Sequence, residues 1–219
     1  PIAGTFTISR GVKTEAVVIV AEVDDGSRRG RGESVPYPRY GETPEATLDA
    51  VLQMRDVLLA GFDIASLQSV MPAGAARNAL DCALWDYRAK FAGKRAWEIA
   101  GREAPQPLTT AYTISLGTPA VMAEATAKAA HRPLLKIKLG GDGDDARIRA
   151  VRDAAPLSAL IVDANESWSD DNLAANLDAC AKAGVSLVEQ PLPAGRDAAL
   201  GRMQRPIAVC ADESVHDRA

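Results

Sequence analysis

Apolar positions along this chain follow two different patterns, and the change falls near residue 105. Residues 16–23 form an apolar, β-branched run interrupted only by Glu22 and closed by Asp24-Asp25-Gly26, which predicts a strand and a turn. Arg29-Gly30-Arg31-Gly32-Glu33-Ser34 reads as the returning strand of a meander, after which Pro36, Pro38 and Gly41 break regular structure. Thr43-Pro44-Glu45 opens a helix with a cap and a first-position proline, and Leu48, Val51, Leu52, Val57 and Leu58 continue it. Pro72 to Gly74 precede a longer alanine-rich helix in which Ala76, Leu80, Ala83, Leu84 and Tyr87 recur at helical spacing. It ends near Gly93, and a short Trp97-Glu98-Ile99 segment closes at Gly101.

After Pro105 and Pro107 strands and helices alternate. The pattern predicts strands over 108–116, 134–139, 160–164, 187–190 and 207–211, with helices over 119–130, 144–154, 170–183 and a short one over 197–203. This is an α/β protein: an α+β domain over 1–105, then parallel βα units over 106–219. Five such units fit a doubly wound sheet or a (β/α) barrel, and periodicity alone does not choose.

Charged residues on these strands narrow the choice. Lys136-Ile137-Lys138 places two lysines on one strand face and Ile137 on the other. Buried parallel strands normally read as unbroken apolar runs, so the pair needs a reason; two surface lysines on an edge strand would be one. The next three strands each end in a carboxylate, Asp163, Glu189 and Asp212, spaced roughly 25 residues apart, one per βα unit. In a barrel those ends converge on one mouth, where active sites are built. Three carboxylates there repel one another unless a cation sits between them, and hard oxygen donors suit Mg²⁺. Asp163 or Asp212 alone would serve equally as a helix cap, whereas Glu189, a poor cap followed by Pro191, would not. Gly141-Asp142-Gly143-Asp144-Asp145-Ala146 fits a loose dinucleotide-binding pattern, but its aspartates repel a pyrophosphate and are better read as helix-start acids that complement the macrodipole.

Composition excludes more than it assigns. The 219 residues carry 25 Lys+Arg against 29 Asp+Glu, a net charge of −4, with 47% hydrophobic and 25% charged residues, the balance of a soluble globular protein. No basic run marks a nucleic-acid footprint, and no apolar stretch is long enough to span a bilayer. The chain opens without the charged and apolar regions of a signal peptide. Cys82, Cys180 and Cys210, widely spaced in apolar surroundings, are read as buried reduced thiols. With two histidines in the chain, zinc sites and histidine triads have little to draw on. Together these features predict a cytoplasmic protein.

The K-x-K strand followed by Asp, Glu and Asp on three successive strands resembles the enolase superfamily, within it the muconate-lactonizing-enzyme-like subgroup. That resemblance implies an α+β capping domain and a modified (β/α)7β barrel, here present to about its fifth strand. It implies Mg²⁺ bound by Asp163, Glu189 and Asp212, with Lys138 as the base that removes the proton α to a carboxylate and Lys136 beside it. Thr110-Ala111-Tyr112-Thr113-Ile114-Ser115-Leu116 is similar to a segment of the L-Ala-D/L-Glu epimerases, which implies substrate contact at Thr113 and a small dipeptide substrate from peptidoglycan peptide metabolism. The stretch from Thr5 to Gly11 resembles the loop that folds over the active site, where Arg10 would pair with a substrate carboxylate or stay a solvated loop charge. Muconate cycloisomerase, o-succinylbenzoate synthase and N-acylamino acid racemase share these residues and remain alternatives, as does an inactive fragment. In the superfamily a second catalytic lysine and an acidic specificity motif lie on later strands. The chain is therefore read as part of a longer, homo-oligomeric protein, inactive as 219 residues alone.

Overall fold

Regular structure begins almost at once: Phe6–Ile8 (β1) and Gly11–Lys13 (β2) pair antiparallel, Phe6 opposite Lys13 and Ile8 opposite Gly11. The structure, a computed structural model, describes residues 1–61 and 64–215. It divides into two compact units, one of residues 15–107 and one of residues 1–14 with 108–219. The chain thus crosses between units twice, near residues 14 and 107, while the sequence-based division at 105 has only the second crossing.

In the first unit Ile19–Asp24 (β3) and Arg29–Ser34 (β4) form an antiparallel hairpin with Asp24 opposite Arg29. Its turn is tied by Asp25, whose Oδ1 accepts from the amides of Ser27 and Arg28 at 2.8 and 2.7 Å. Helices follow at Pro44–Gln53 (α1), Arg55–Leu59 (α2), Ile64–Val70 (α3), Ala75–Ala92 (α4) and Ala96–Ile99 (α5). Thr43 caps α1 by accepting from the Ala46 amide. The single helix expected across 43–58 is broken at Met54, whose side chain joins the core of Ala21, Leu67, Ala79, Leu80 and Ala83. The Arg-Gly alternation in β4 has a packing cause. A Cβ on Gly30 would stand 2.1 Å from the Ala83 carbonyl oxygen, and one on Gly32 2.1 Å from that of Ala79. Only glycine lets strand and helix approach this closely, while Arg29 and Arg31 project outward.

The second unit adds Tyr112–Ile114 (β5), Pro119–Ala129 (α6), Leu134–Lys138 (β6), Asp144–Ala154 (α7), Ala159–Asp163 (β7), Leu173–Lys182 (α8), Val185–Glu189 (β8) and Ala208–Cys210 (β9). A 3-10 turn at Asp197–Arg202 replaces the weak helix expected there. The five strands make one parallel sheet in chain order, the α/β arrangement that the alternation predicts. Leu135, Ile137, Leu160, Val162 and Val188 join the core formed with Met122, Ile148, Val151, Leu173 and Leu177 of the helices. Between β7 and β8 the register shifts: Leu160 pairs with Val185 but Ile161 with Leu187, and the Ser186 hydroxyl donates to the Leu160 carbonyl at 3.1 Å.

One local reading is corrected and another extended. Cys180 is buried, and burial pushes its thiol pKa up to about 12, but Cys82 and Cys210 are exposed, because helix α4 and strand β9 turn those positions away from the packed cores. Asp144 is more than a helix-start acid: fully buried, it accepts from the Gly140 and Gly141 amides, Trp168 Nε1 and Arg147, and so ties the loop after β6 to the loop after β7. Among the described residues no helix is long and apolar enough to cross a membrane. His216 lies outside the described residues.

Candidate active site

Parallel register lines up the charged residues. Lys138 pairs with Asp163, and Asp163 with Glu189, in one row across the carboxyl ends of β6, β7 and β8. Because side chains alternate, Leu135 and Ile137 enter the core and leave both lysines on the opposite face. Lys138 Nζ donates to Asp163 Oδ2 at 2.6 Å, and Lys136 Nζ lies 3.0 Å from the same oxygen. Lys136 also contacts Glu189 Oε1 at 2.8 Å and Oε2 at 2.7 Å. Asp163 Oδ1 accepts from the Asn165 amide at 2.9 Å.

The pKa values of the two acids shift in opposite directions. Burial works to raise the Asp163 pKa, but the hydrogen bond and charge of Lys138, aided by Lys136, outweigh it and hold the carboxyl below its ordinary value. Burial also raises Glu189, and there it prevails: Asp163 beside it adds to the rise, against the hydrogen bond and charge of Lys136. Burial alone would lower Lys136, yet Glu189 and Asp163 hold it above its usual value.

Other expected site residues fall at different distances from this row. Thr113 pairs with Lys136 on the neighbouring strand. Asp212 follows β9 and is exposed; its amide donates to Gln190 Oε1 at 2.9 Å, and its carboxylate does not join the lysine network. Among the described residues no three Asp, Glu, His or Cys side chains are gathered closely enough to hold a metal ion. Of the expected ligands, Asp163 and Glu189 therefore stand together, and Asp212 stands on the adjacent turn. Arg10, at the β1–β2 turn, is held by protein carboxylates, with Nη1 2.8 Å from Glu166 Oε2 and Nη2 2.6 Å from Glu213 Oε1. The hairpin carrying it is joined to the end of β5 by the Leu116 amide donating to Thr7 O at 3.0 Å, and its Phe6 ring centre lies 5.5 Å from Lys138 Nζ.

Three residues of this region have no role readable from sequence. Gln190 is buried at positive φ and spends its amide on the turn after β9: Oε1 accepts from the amides of Asp212 and Ser214, and Nε2 donates to Ser214 Oγ. Asn165 and Glu166, also at positive φ, form the turn after Asp163. Unusual φ at a non-glycine residue beside a polar strand end is a mark of functional sites, but only the backbone reveals it.

Comparison with known proteins finds relatives over nearly the whole chain. Residues 1–101 match the mandelate racemase/muconate lactonizing enzyme N-terminal domain, and residues 120–219 match the enolase C-terminal domain-like family. The chain is 43% identical to the L-Ala-D/L-Glu epimerase of Escherichia coli K12, over 100% of its own length and 69% of that protein. It is 56% identical, with a TM-score of 0.95, to an Agrobacterium tumefaciens enolase family member with homology to dipeptide epimerases, solved with bound sodium and L-Ala-L-Glu; 98% of this chain covers 66% of that one. A dipeptide epimerase from Cytophaga hutchinsonii, complexed with Mg and D-Ala-L-Val, is 26% identical with a TM-score of 0.87, and 97% of this chain covers 62% of it. The chain thus spans about two thirds of the length of these relatives. With its K-x-K strand, its aligned acids and its two matching domains, it belongs to the mandelate racemase/muconate lactonizing enzyme branch of the enolase superfamily.

Proposed function

We propose that the full-length protein is a Mg²⁺-dependent dipeptide epimerase that inverts the carbon α to a carboxylate, with L-Ala-D/L-Glu as the substrate type. The observation that carries this reading is the row of Lys138, Asp163 and Glu189 in adjacent register, with Lys136 on the same face. Lys138 would remove the α-proton, and Lys136 would hold the substrate carboxylate against the charge that builds on its oxygens. Asp163, Glu189 and Asp212 are the oxygen donors that would hold Mg²⁺, which supplies positive charge opposite that developing carboxylate charge. Thr113, paired with Lys136 on the neighbouring strand, would contact the dipeptide. The Phe6 ring, centred 5.5 Å from Lys138 Nζ, would keep water from the amine. Inversion also needs a proton donor on the opposite face, and the superfamily pattern assigns that role to a lysine on a later strand.

The test is Mg²⁺-dependent exchange of the α-proton of L-Ala-L-Glu in D₂O, followed by NMR on the full-length protein, with a neutral dipeptide and an N-acylamino acid in parallel. Exchange on the dipeptides that disappears in Lys138→Ala is expected. Exchange on the N-acylamino acid alone would move the reading to a racemase, and no Mg²⁺-dependent exchange on any of the three would overturn it.

A further inference from the structure

We infer that Asp144 is a positioning residue: its buried carboxylate gathers the loops that follow β5, β6, β7 and β8, and so holds Lys138, Asp163 and Glu189 in one row. Each carboxylate oxygen accepts two hydrogen bonds. Oδ1 takes the Gly140 amide at 3.0 Å and Arg147 Nη1 at 2.9 Å, and Oδ2 takes the Gly141 amide and Trp168 Nε1, both at 2.8 Å. Every one of these donors leads to a strand end. Gly140 stands two residues past Lys138. Arg147 Nε donates to the Gly117 carbonyl at 2.9 Å, in the loop after the strand that carries Thr113. Trp168 stands five residues past Asp163, and its backbone amide donates at 3.0 Å to the carbonyl of Pro191, two residues past Glu189.

The charge explains why an acid stands here. Asp144 is 0% exposed, and a carboxylate removed from water is tolerated only where donors meet its oxygens. These donors come from two loops and helix α7, so the acid is satisfied only while those elements stand together. Asparagine would not serve, because its NH₂ group would face two of the donors. The glycine-rich segment 141–146 takes its meaning from this arrangement. Backbone amides and a guanidinium form a cradle for an anion, and the chain fills it with its own carboxylate. Gly141 has φ 99°, and a Cβ there would stand 3.0 Å from the Ser167 carbonyl oxygen, so this glycine lets the loops after β6 and β7 touch. The effect reaches the site through the backbone. The Leu139 amide donates to the Asp163 carbonyl at 3.0 Å and the Ala164 amide to the Glu189 carbonyl at 3.1 Å, and these two bonds join the strand ends directly.

This inference rests on the proposed epimerase reaction for its kinetic consequence, but its structural consequence stands apart. In the full-length protein, Asp144→Asn should speed amide exchange at Leu139 and Ala164 about tenfold. It should lower kcat on L-Ala-L-Glu about 100-fold with a much smaller change in KM, because the row that performs the chemistry is misaligned. The Trp168 indole N–H resonance, assigned by its loss in Trp168→Phe, should move upfield once its acceptor is no longer charged. Trp168→Phe keeps a packed ring but removes one donor, and serves if Asp144→Asn fails to fold; it should show the same pattern more weakly, with kcat down about tenfold. Wild-type exchange at Leu139 and Ala164 in every variant that folds would overturn the inference. So would faster exchange there with unchanged kcat, or a loss expressed in KM alone. Wild-type protein inactive on every dipeptide would sink the proposed reaction instead, and exchange at Leu139 and Ala164 would still decide the role of Asp144.

Discussion

Asp163→Asn separates the structural from the chemical work of the central acid. The substitution keeps the shape and one acceptor but removes the charge that faces both Lys138 and Lys136 through Oδ2, at 2.6 and 3.0 Å. Lys136 keeps Glu189, whereas Lys138 keeps the contact with the Phe6 ring. Breaking one side of a buried pair typically costs about 3–5 kcal/mol, and the retained amide oxygen favours the low end, about 3 kcal/mol. For a chain of this size that corresponds to a fall in melting temperature of about 6–12 °C. The pH dependence has a definite sign. The Asp163 pKa is lower folded than unfolded, so its stabilisation is present above the ordinary value of 3.8 and is lost as pH falls through the depressed folded value. Wild type and variant should therefore differ at neutral pH and converge in acid. Native-state amide exchange at Val162 and Ala164, combined with thermal melts, reads this locally, since the two compact units need not unfold together. Melts that coincide at neutral pH, or a gap of equal size in acid, would refute the reasoning. The oxygen shared by both lysines makes Asp163→Asn a structural loss as well as a chemical one.

Glu189→Gln should behave differently. Its folded pKa is raised, so the charged form is disfavoured in the fold and the associated stability is lost as pH rises through the folded value. Removing the charge should leave the metal-free melting point unchanged or slightly higher while weakening Mg²⁺ binding in calorimetry. In the other unit, Gly32→Ala puts a methyl group where 2.1 Å separates it from the Ala79 carbonyl, and should cost at least about 1–3 kcal/mol in urea unfolding.

The sheet was legible because its signals are local. Apolar runs bounded by Pro, Gly and Asp mark each buried strand, and helix α7 spans the range that its periodicity predicts. Lys136 and Lys138 declare a face by spacing alone, and one acid per unit declares an end. What stayed hidden depends on distant partners. The β1–β2 hairpin is two three-residue strands whose main ties reach Leu116, Asn165, Glu166 and Glu213, and no short window holds that information. The glycines of β4 are explained only by the helix lying on them. Asp212 was read from the same regularity as Asp163 and Glu189, but it lies past the end of its strand, where a turn held by Gln190 and not the pleat sets its direction.

The irregularity between β7 and β8 carries a consequence for how this sheet tolerates insertions and deletions. With Leu160 beside Val185 and no shift, Asp163 would stand beside Val188; the extra residue, Ser186, moves Glu189 there instead. Because neighbouring residues point to opposite faces, that one position decides whether an acid or a valine meets Lys136. Deleting Ser186 would resorb the bulge and keep Glu189 beside Asp163, whereas inserting one residue there, with the bulge unchanged, would put Val188 beside Asp163 and turn the carboxylate toward the helix layer. The strand end thus tolerates the loss of one residue at this point but not the gain of one.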